Sequence, residues 1–84
     1  GLIMYSGEKA ELIHLQLEPG DSLDLHMNPF DVVFYGLQGE AVLFTSETAY
    51  SLKTGDCAFV SSDEERGWRN ESDKPFSVLV VKMH

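Results

Sequence analysis

The stretch that decides the fold runs from Gly20 to Gly39 and reads GDSLDLHMNPFDVVFYGLQG. Apolar and polar residues alternate over Ser22–Met27, which is typical of a half-buried strand. Asn28-Pro29 then signals a turn, because proline has no N–H to donate to a ladder. Asp31–Leu37 is rich in the Val, Phe and Tyr that favour strands. The stretch therefore predicts two strands joined by a tight connection, with a lone histidine, His26, near the joint.

The rest of the chain continues this pattern of short strands and turns. No window shows apolar residues recurring at helical spacing. Further strands are predicted over Leu2–Tyr5, Ala10–Leu17, Ala41–Thr45, Ala49–Leu52, Cys57–Val60, Arg66–Glu71 and Phe76–Met83. Turn signals between short strands, spaced by about 8–12 residues, are typical of an all-β sandwich or barrel. We therefore expect a single all-β domain over residues 1–84.

Composition narrows the partners that such a domain would have. Of the 84 residues, 14 are acidic and 6 are basic, which gives a formal charge of -8. This argues against nucleic acid, which needs a basic surface to release counterions, and against an anionic membrane. The single cysteine, the absence of a signal-like segment and the lack of a long apolar run predict a cytoplasmic location.

The stretch from Gly20 to Gly39 resembles the first motif of the cupin superfamily, G-x5-H-x-H-x(3–4)-E-x6-G. The spacing fits without a gap, and the five motif positions are occupied by Gly20, His26, Asn28, Val32 and Gly39.

The second cupin motif, G-x5-P-x-G-x2-H-x3-N, also fits without a gap. Its positions are occupied by Gly55, Ser61, Asp63, Arg66 and Asn70. With motifs at 20–39 and 55–70, the resemblance implies a double-stranded β-helix, that is, a jelly-roll cupin barrel that is often dimeric. It also implies that any metal would lie at the positions of His26, Asn28, Val32 and Arg66, of which only the first keeps the family's residue type.

Strand alternation predicts which side chains line a pocket inside this barrel. The expected lining residues are His26, Phe34, Arg66 and Trp68, with Asn28 at the rim. Either aromatic residue could instead be ordinary core, and the histidine could be a plain wall residue.

The same alternation predicts what lies outside the pocket. Asp24 and Ser22 are expected to lean the same way as His26, with Leu23, Leu25 and Met27 on the opposite face. Val33, Tyr35 and Leu37 are expected to point away from the pocket. An outward apolar face on a small sheet suggests the contact of a homodimer.

The residue types at the metal positions disfavour a firmly bound metal. A divalent ion such as Zn, Fe, Ni or Mn normally needs three or four N, O or S ligands. Val32 cannot ligate and Arg66 would repel a cation, so His26 is at most a weak candidate, with Asp24 and Asp31 as possible oxygen donors. No cofactor is therefore predicted, although a divalent metal remains an alternative.

Arg66 instead suggests an anion, because a buried guanidinium needs a carboxylate or phosphate partner. His26 would then be a second donor to that anion, and Trp68 or Phe34 would be an apolar or stacking surface. A structural ion pair with Asp24, Asp31, Glu64 or Glu65 explains it at least as well, and so would a solvated position at the rim.

Three functions follow from these alternatives. The first is binding of a small organic, anionic molecule in the barrel without a firmly bound metal. The second is a cupin-type enzyme (an isomerase, lyase or dioxygenase, metal-dependent or metal-free) in which His26 is a ligand or an acid–base group. The third is a structural or partner-binding domain whose barrel is filled by side chains such as Phe34 and Trp68.

Overall fold

A computed structural model describes residues 1–84 and contains nine β-strands. They are β1 Leu2–Ser6, β2 Ala10–Leu17, β3 Ser22–His26, β4 Asp31–Gln38, β5 Glu40–Thr45, β6 Ala49–Lys53, β7 Cys57–Val60, β8 Arg66–Arg69 and β9 Phe76–Met83. All nine strands predicted from the sequence are present, with ends that differ by at most two residues. No helix of the structure could span a membrane.

The strands form two antiparallel sheets that pack face to face. One sheet has the order β1-β2-β9-β4-β7 and the other the order β3-β8-β5-β6. Neighbours in the sheets are mostly distant in sequence, as expected of the double-stranded β-helix. The predicted fold class is therefore confirmed.

The core lies between the two sheets, where alternate residues of each strand point inward. Its buried hydrophobic residues are Leu17, Val32, Phe34, Ala41, Leu43, Leu52, Ala58, Val60, Trp68, Phe76, Val78 and Val80. β8 and the residue after it contribute Arg66, Trp68 and Asn70 to the same interior, and each of these side chains is 1% exposed. The predicted shared face of these three residues is thus observed.

The glycines that carry the motif spacing have a backbone reason for being glycine. Gly20, Gly39 and Gly55 have φ values of 87°, 74° and 88°, and no other residue has a positive φ. A side chain is strained in this left-handed region. At Gly39 an added Cβ would also overlap the carbonyl oxygen of Pro75.

A β-bulge in β3 changes which of its side chains face the interior. Leu23 pairs with Trp68 and His26 pairs with Arg66, so Asp24 and Leu25 together stand opposite Gly67. The extra residue shifts the alternation by one position.

The bulge overturns the expected faces of this strand. Leu23 and His26 lie on the same, inner side, whereas Leu25 and Met27 are exposed by 40% and 59%. The prediction that Asp24 and Ser22 lean with His26 was therefore wrong. A bulge cannot be predicted from strict alternation, because it depends on how the strand pairs with its neighbour.

One end of the barrel is closed by a hydrogen-bond network around Asn70. Its Nδ2 donates to the carbonyl oxygens of Leu17 at 3.1 Å and Lys74 at 2.8 Å. Its Oδ1 accepts from the backbone N–H of Ser72 at 3.0 Å and from the Ser72 hydroxyl at 2.7 Å. The amide thus ties β2, β8 and the turn before β9 together.

Candidate functional site

The opposite end of the barrel holds a cavity of about 270 Å³ that opens to solvent. All five residues predicted to form the site line it, namely His26, Asn28, Phe34, Arg66 and Trp68. The remaining lining residues are Gly1, Ile3, Ile13, Leu15, Leu23, Val32, Val80 and Lys82. The wall is therefore largely apolar, and none of its residues is acidic.

Arg66 is the buried charge of this cavity. It begins β8 and is 1% exposed, and its Nη2 donates to the carbonyl oxygen of Ser61 at 2.8 Å. Nε and Nη1 are buried without any hydrogen-bond partner. Burial lowers the pKa of Arg66, and the nearby Glu64 carboxylate opposes that effect in part. A buried guanidinium with two unpaired nitrogens is unusual, since buried polar groups are nearly always bonded.

The alternatives that would explain Arg66 without a ligand do not fit this geometry. The two ion pairs of the structure are Arg69–Glu71 at 3.2 Å and Lys82–Glu11 at 4.0 Å, and neither involves Arg66. The structural ion pair considered from the sequence is therefore absent. A solvated position at the rim is equally inconsistent with a side chain that is 1% exposed.

Trp68 supplies a second unpaired donor. Its ring packs between Phe34, with ring centroids 5.2 Å apart, and Phe76, at 5.1 Å. The indole is thus part of the core, yet its Nε1–H is buried without an acceptor. A buried Trp usually finds a partner for this group. Trp68 is therefore both a core residue and a cavity wall with a free donor.

His26 presents a different group to the cavity. Its Nδ1 lies 3.0 Å from the carbonyl oxygen of Asp24. A carbonyl can only accept, so Nδ1 carries the hydrogen, and Nε2 of the neutral ring is an acceptor. The neutral imidazole therefore offers the cavity an acceptor, whereas Arg66 offers donors. The expected second donor at His26 would require a hydrogen on Nε2 as well.

The residues at the family's metal positions do not fit a tightly bound divalent ion. Val32 has no donor atom and is 1% exposed, and Arg66 is a cation. Asp24 is outside because of the bulge, and the Asp31 carboxylate accepts a bond of 2.9 Å from the Ser62 N–H. No group of three or more His, Cys, Asp and Glu side chains is placed to hold a metal ion. Metal content itself stays a prediction.

Lys82 is the polar lining residue that the sequence interpretation missed. It lies on β9 two residues after Val80, which also lines the cavity. The alternation of Val78, Val80 and Lys82 was a usable signal, because side chains two apart on a strand share a face. A lysine at a strand end is normally assumed to be solvated, which hides that signal.

Comparison with known proteins places the fold in a family. The family described as Cupin domain matches residues 13–82. The chain is similar to the crystal structure of TT1209 from Thermus thermophilus, with 31% identity and a TM-score of 0.90 over 98% of this chain and 79% of that one.

The chain is also similar to two solved structures of proteins that are named as enzymes. A sugar phosphate isomerase of the cupin superfamily from Silicibacter pomeroyi DSS-3 is 25% identical, with a TM-score of 0.79 over 92% of this chain and 52% of that one. DMSP lyase DddQ from Ruegeria pomeroyi DSS-3 is 23% identical, with a TM-score of 0.86 over 93% of this chain and 40% of that one. No curated protein is significantly similar in sequence. The sequence motifs, the two facing sheets and the family match together show that this chain belongs to the cupin domain family.

Proposed function

We propose that this cupin binds a small organic anion in its barrel and that Arg66 is the principal contact. The observation that carries the proposal is the buried guanidinium with Nε and Nη1 unpaired. Leaving a buried donor unpaired costs about 1–3 kcal/mol, and more when the group is charged. A carboxylate or phosphate in the cavity would remove that cost.

The charge of the cavity supports an anionic ligand. The chain has a formal charge of -8, yet the cavity is lined by Arg66 and Lys82 and by no acid. A cation would meet these two charges at close range, whereas an anion would be attracted inside a low-dielectric wall. The lining of the cavity is therefore positively charged, although the chain as a whole is negatively charged.

Each predicted site residue has a role in this proposal. Arg66 holds the anionic group, and the Trp68 Nε1–H offers a further donor. Phe34 provides apolar contact, while Asn28 at the rim offers an amide. The His26 Nε2 accepts a hydrogen bond from a hydroxyl or amide of the ligand. A cavity of about 270 Å³ limits the ligand to small-metabolite size.

The proposal is tested by ligand-induced thermal stabilisation with a library of small carboxylates and phosphates. Wild-type protein is expected to gain melting temperature with at least one acid, and Arg66→Met is expected to lose that gain. Arg69→Met is the matched control, because Arg69 is exposed on the same strand and pairs with Glu71. If no acid stabilises the wild type, or if the gain survives Arg66→Met, the proposal fails.

A filled, purely structural barrel is a weaker explanation. A cavity of about 270 Å³ exceeds the space of a few waters, each of which occupies about 30 Å³ in the liquid. Phe34 and Trp68 therefore narrow the barrel without filling it.

An enzyme is the second candidate function, and the free Nε2 of His26 favours it. An unprotonated imidazole beside an arginine that holds an anion is suited to moving a proton on that anion. The sugar phosphate isomerase and the DMSP lyase share this fold, so a lyase or isomerase reaction is compatible with it. His26→Gln is expected to retain ligand binding and to lose turnover, while metal analysis of untagged protein separates metal-dependent from metal-free versions.

We also propose that the chain forms a homodimer through the outer face of its five-stranded sheet. Phe59 pairs with Val33, Val33 with Val81, Val81 with Leu12, and Leu12 with Tyr5. This register forms a continuous apolar row, whose ends Phe59 and Tyr5 are exposed by 59% and 57%. Exposed apolar surface of this kind favours association.

The dimer is tested by analytical ultracentrifugation. Phe59→Asp should convert dimer to monomer, because a buried unpaired charge at an interface is costly. Val42→Asp, on the outer face of the four-stranded sheet, should leave the dimer intact. A wild-type monomer would refute this proposal. The single exposed thiol, Cys57, suits a reducing compartment, and a cytoplasmic location is proposed on that ground.

A further inference from the structure

We infer that the ligand carries two anionic groups and that the second is bound by Lys82 at the mouth of the barrel. The inference rests on the anion site proposed around Arg66 and names the class of ligand that this site takes. The class is a short dicarboxylate, or another molecule with two anionic ends and an apolar middle.

The strand register places Lys82 on the inner face of its sheet. Lys82 pairs with Val32 on β4 and with Glu11 on β2. Paired residues share a face of the sheet, and Val32 is 1% exposed in the interior. Lys82 therefore lines the cavity at its open end, whereas other lysines of the chain lie outside it.

The ammonium group of Lys82 has no strong partner within the protein. Its Nζ is 4.0 Å from the Glu11 Oε1, which is beyond hydrogen-bond distance, and it donates no hydrogen bond. The Lys82 and Glu11 side chains are only 24% and 20% exposed. Glu11 thus holds the ammonium group near the mouth by charge attraction but accepts no hydrogen bond from it.

The two cations lie on opposite walls of the cavity. Arg66 belongs to β8 in the four-stranded sheet, and Lys82 belongs to β9 in the five-stranded sheet. Apolar side chains, including Leu23, Val32 and Val80, make up much of the surface around them. A single anionic group at Arg66 would leave Lys82 with only its long contact of 4.0 Å to Glu11. A molecule with an acid at each end and methylene groups between them matches both cations and the apolar wall.

The test compares linear dicarboxylates with monocarboxylates of equal chain length by calorimetric titration. Succinate, glutarate and adipate are paired with butyrate, valerate and hexanoate. Wild-type protein is expected to bind one dicarboxylate roughly tenfold more tightly than its matched monocarboxylate, as for one added charge-assisted contact. Lys82→Gln should abolish this preference, with a much smaller loss of affinity for monocarboxylates than for dicarboxylates.

Three variants make the result specific. Lys82→Arg keeps the charge and should retain the preference for two acids. Lys53→Gln makes the same change of net charge outside this cavity and should have no effect. Glu11→Gln removes the competing carboxylate and should strengthen dicarboxylate binding.

Failure of this inference is distinguishable from failure of the proposed function. Equal affinity for the two series, or equal loss of both in Lys82→Gln, refutes the second anionic group and leaves the Arg66 site standing. Absence of binding in both series, or binding that survives Arg66→Met, refutes the anion site and the inference together.

Discussion

The two ends of the barrel differ in how fully the buried polar side chains of β8 and of the residue after it are hydrogen-bonded. At the closed end the Asn70 amide bonds to Leu17, Ser72 and Lys74, and its donors and acceptor are all used. At the open end Arg66, equally buried and on the same face, leaves two nitrogens unpaired. The difference teaches that the closed end is built for stability, whereas the open end retains an electrostatic cost that a ligand can relieve.

Replacing Asn70 by Ala should give the largest effect. The change removes four hydrogen bonds and takes the amide donor away from the Leu17 carbonyl and from the Lys74 carbonyl, which keeps only the Ser72 hydroxyl as a donor. We expect the free energy of unfolding to fall by about 3 kcal/mol, because each buried orphan costs about 1–3 kcal/mol. Urea unfolding measures this loss, and ligand affinity should not change in the folded protein. A loss below about 1 kcal/mol would contradict the role given to the closed end.

Replacing Gly67 by Ala tests the middle of β8. An added Cβ would lie 2.6 Å from the Leu23 carbonyl oxygen at the bulge and would also overlap the Phe44 ring. We expect a loss of about 2 kcal/mol, typical of overpacking. Ligand affinity should fall as well, because Gly67 directly follows Arg66 and stands opposite the bulge, so a displaced backbone would move the guanidinium. Unchanged affinity in this variant would show that the bulge does not position the site.

Arg66→Met should raise the free energy of unfolding, whereas Asn70→Ala should lower it. The straight apolar side chain removes the unpaired donors and fills similar space, so we expect the ligand-free protein to gain about 1–2 kcal/mol. Arg69→Met, in the exposed cation–π contact with Phe44, should change the free energy of unfolding by less than about 0.5 kcal/mol. Both values come from urea unfolding in the absence of added anions. Destabilisation by Arg66→Met would mean that the guanidinium is structural.

Ser61→Ala should give the smallest effect, at the rim of the open end. The Ser61 hydroxyl donates to Asp63 and holds the pKa of that carboxyl below its usual value of 3.8. A carboxyl with a depressed pKa adds stability above its unfolded-state pKa and loses it as the pH falls through the folded-state pKa. The variant should therefore raise the pKa of Asp63 and flatten the stability curve below about pH 4.

Titration of the Asp63 carboxyl by nuclear magnetic resonance measures that shift. Ser62→Ala is the control, because its backbone N–H bonds to Asp31 and its hydroxyl has no bond to Asp63. An equal shift in both variants would assign the depressed pKa to the loop backbone instead. The Arg66–Ser61 bond uses the carbonyl oxygen and should survive the substitution.

Most of the fold could be predicted because its signals are local. Turn glycines, proline and alternating polarity identify nine short strands. Gly20, Gly39 and Gly55 are glycine because their φ values are positive. The five candidate site residues were also brought to one cavity, since alternation assigns faces within regular strands. His26 also lines the cavity, but it shares the inner face with Leu23 instead of Asp24, because of the bulge at Asp24 and Leu25.

The sequence by itself determined the all-β cupin fold, the loss of most metal-ligand types and the shared face of Arg66, Trp68 and Asn70. Only the tertiary structure decided which of these buried polar groups has partners. The Leu17 carbonyl that satisfies Asn70 is 53 residues away, and Lys82 reaches the cavity of Arg66 from the opposite sheet. Hydrogen bonds and charges depend on distances between such remote segments, and these distances exist only once the two sheets have packed together.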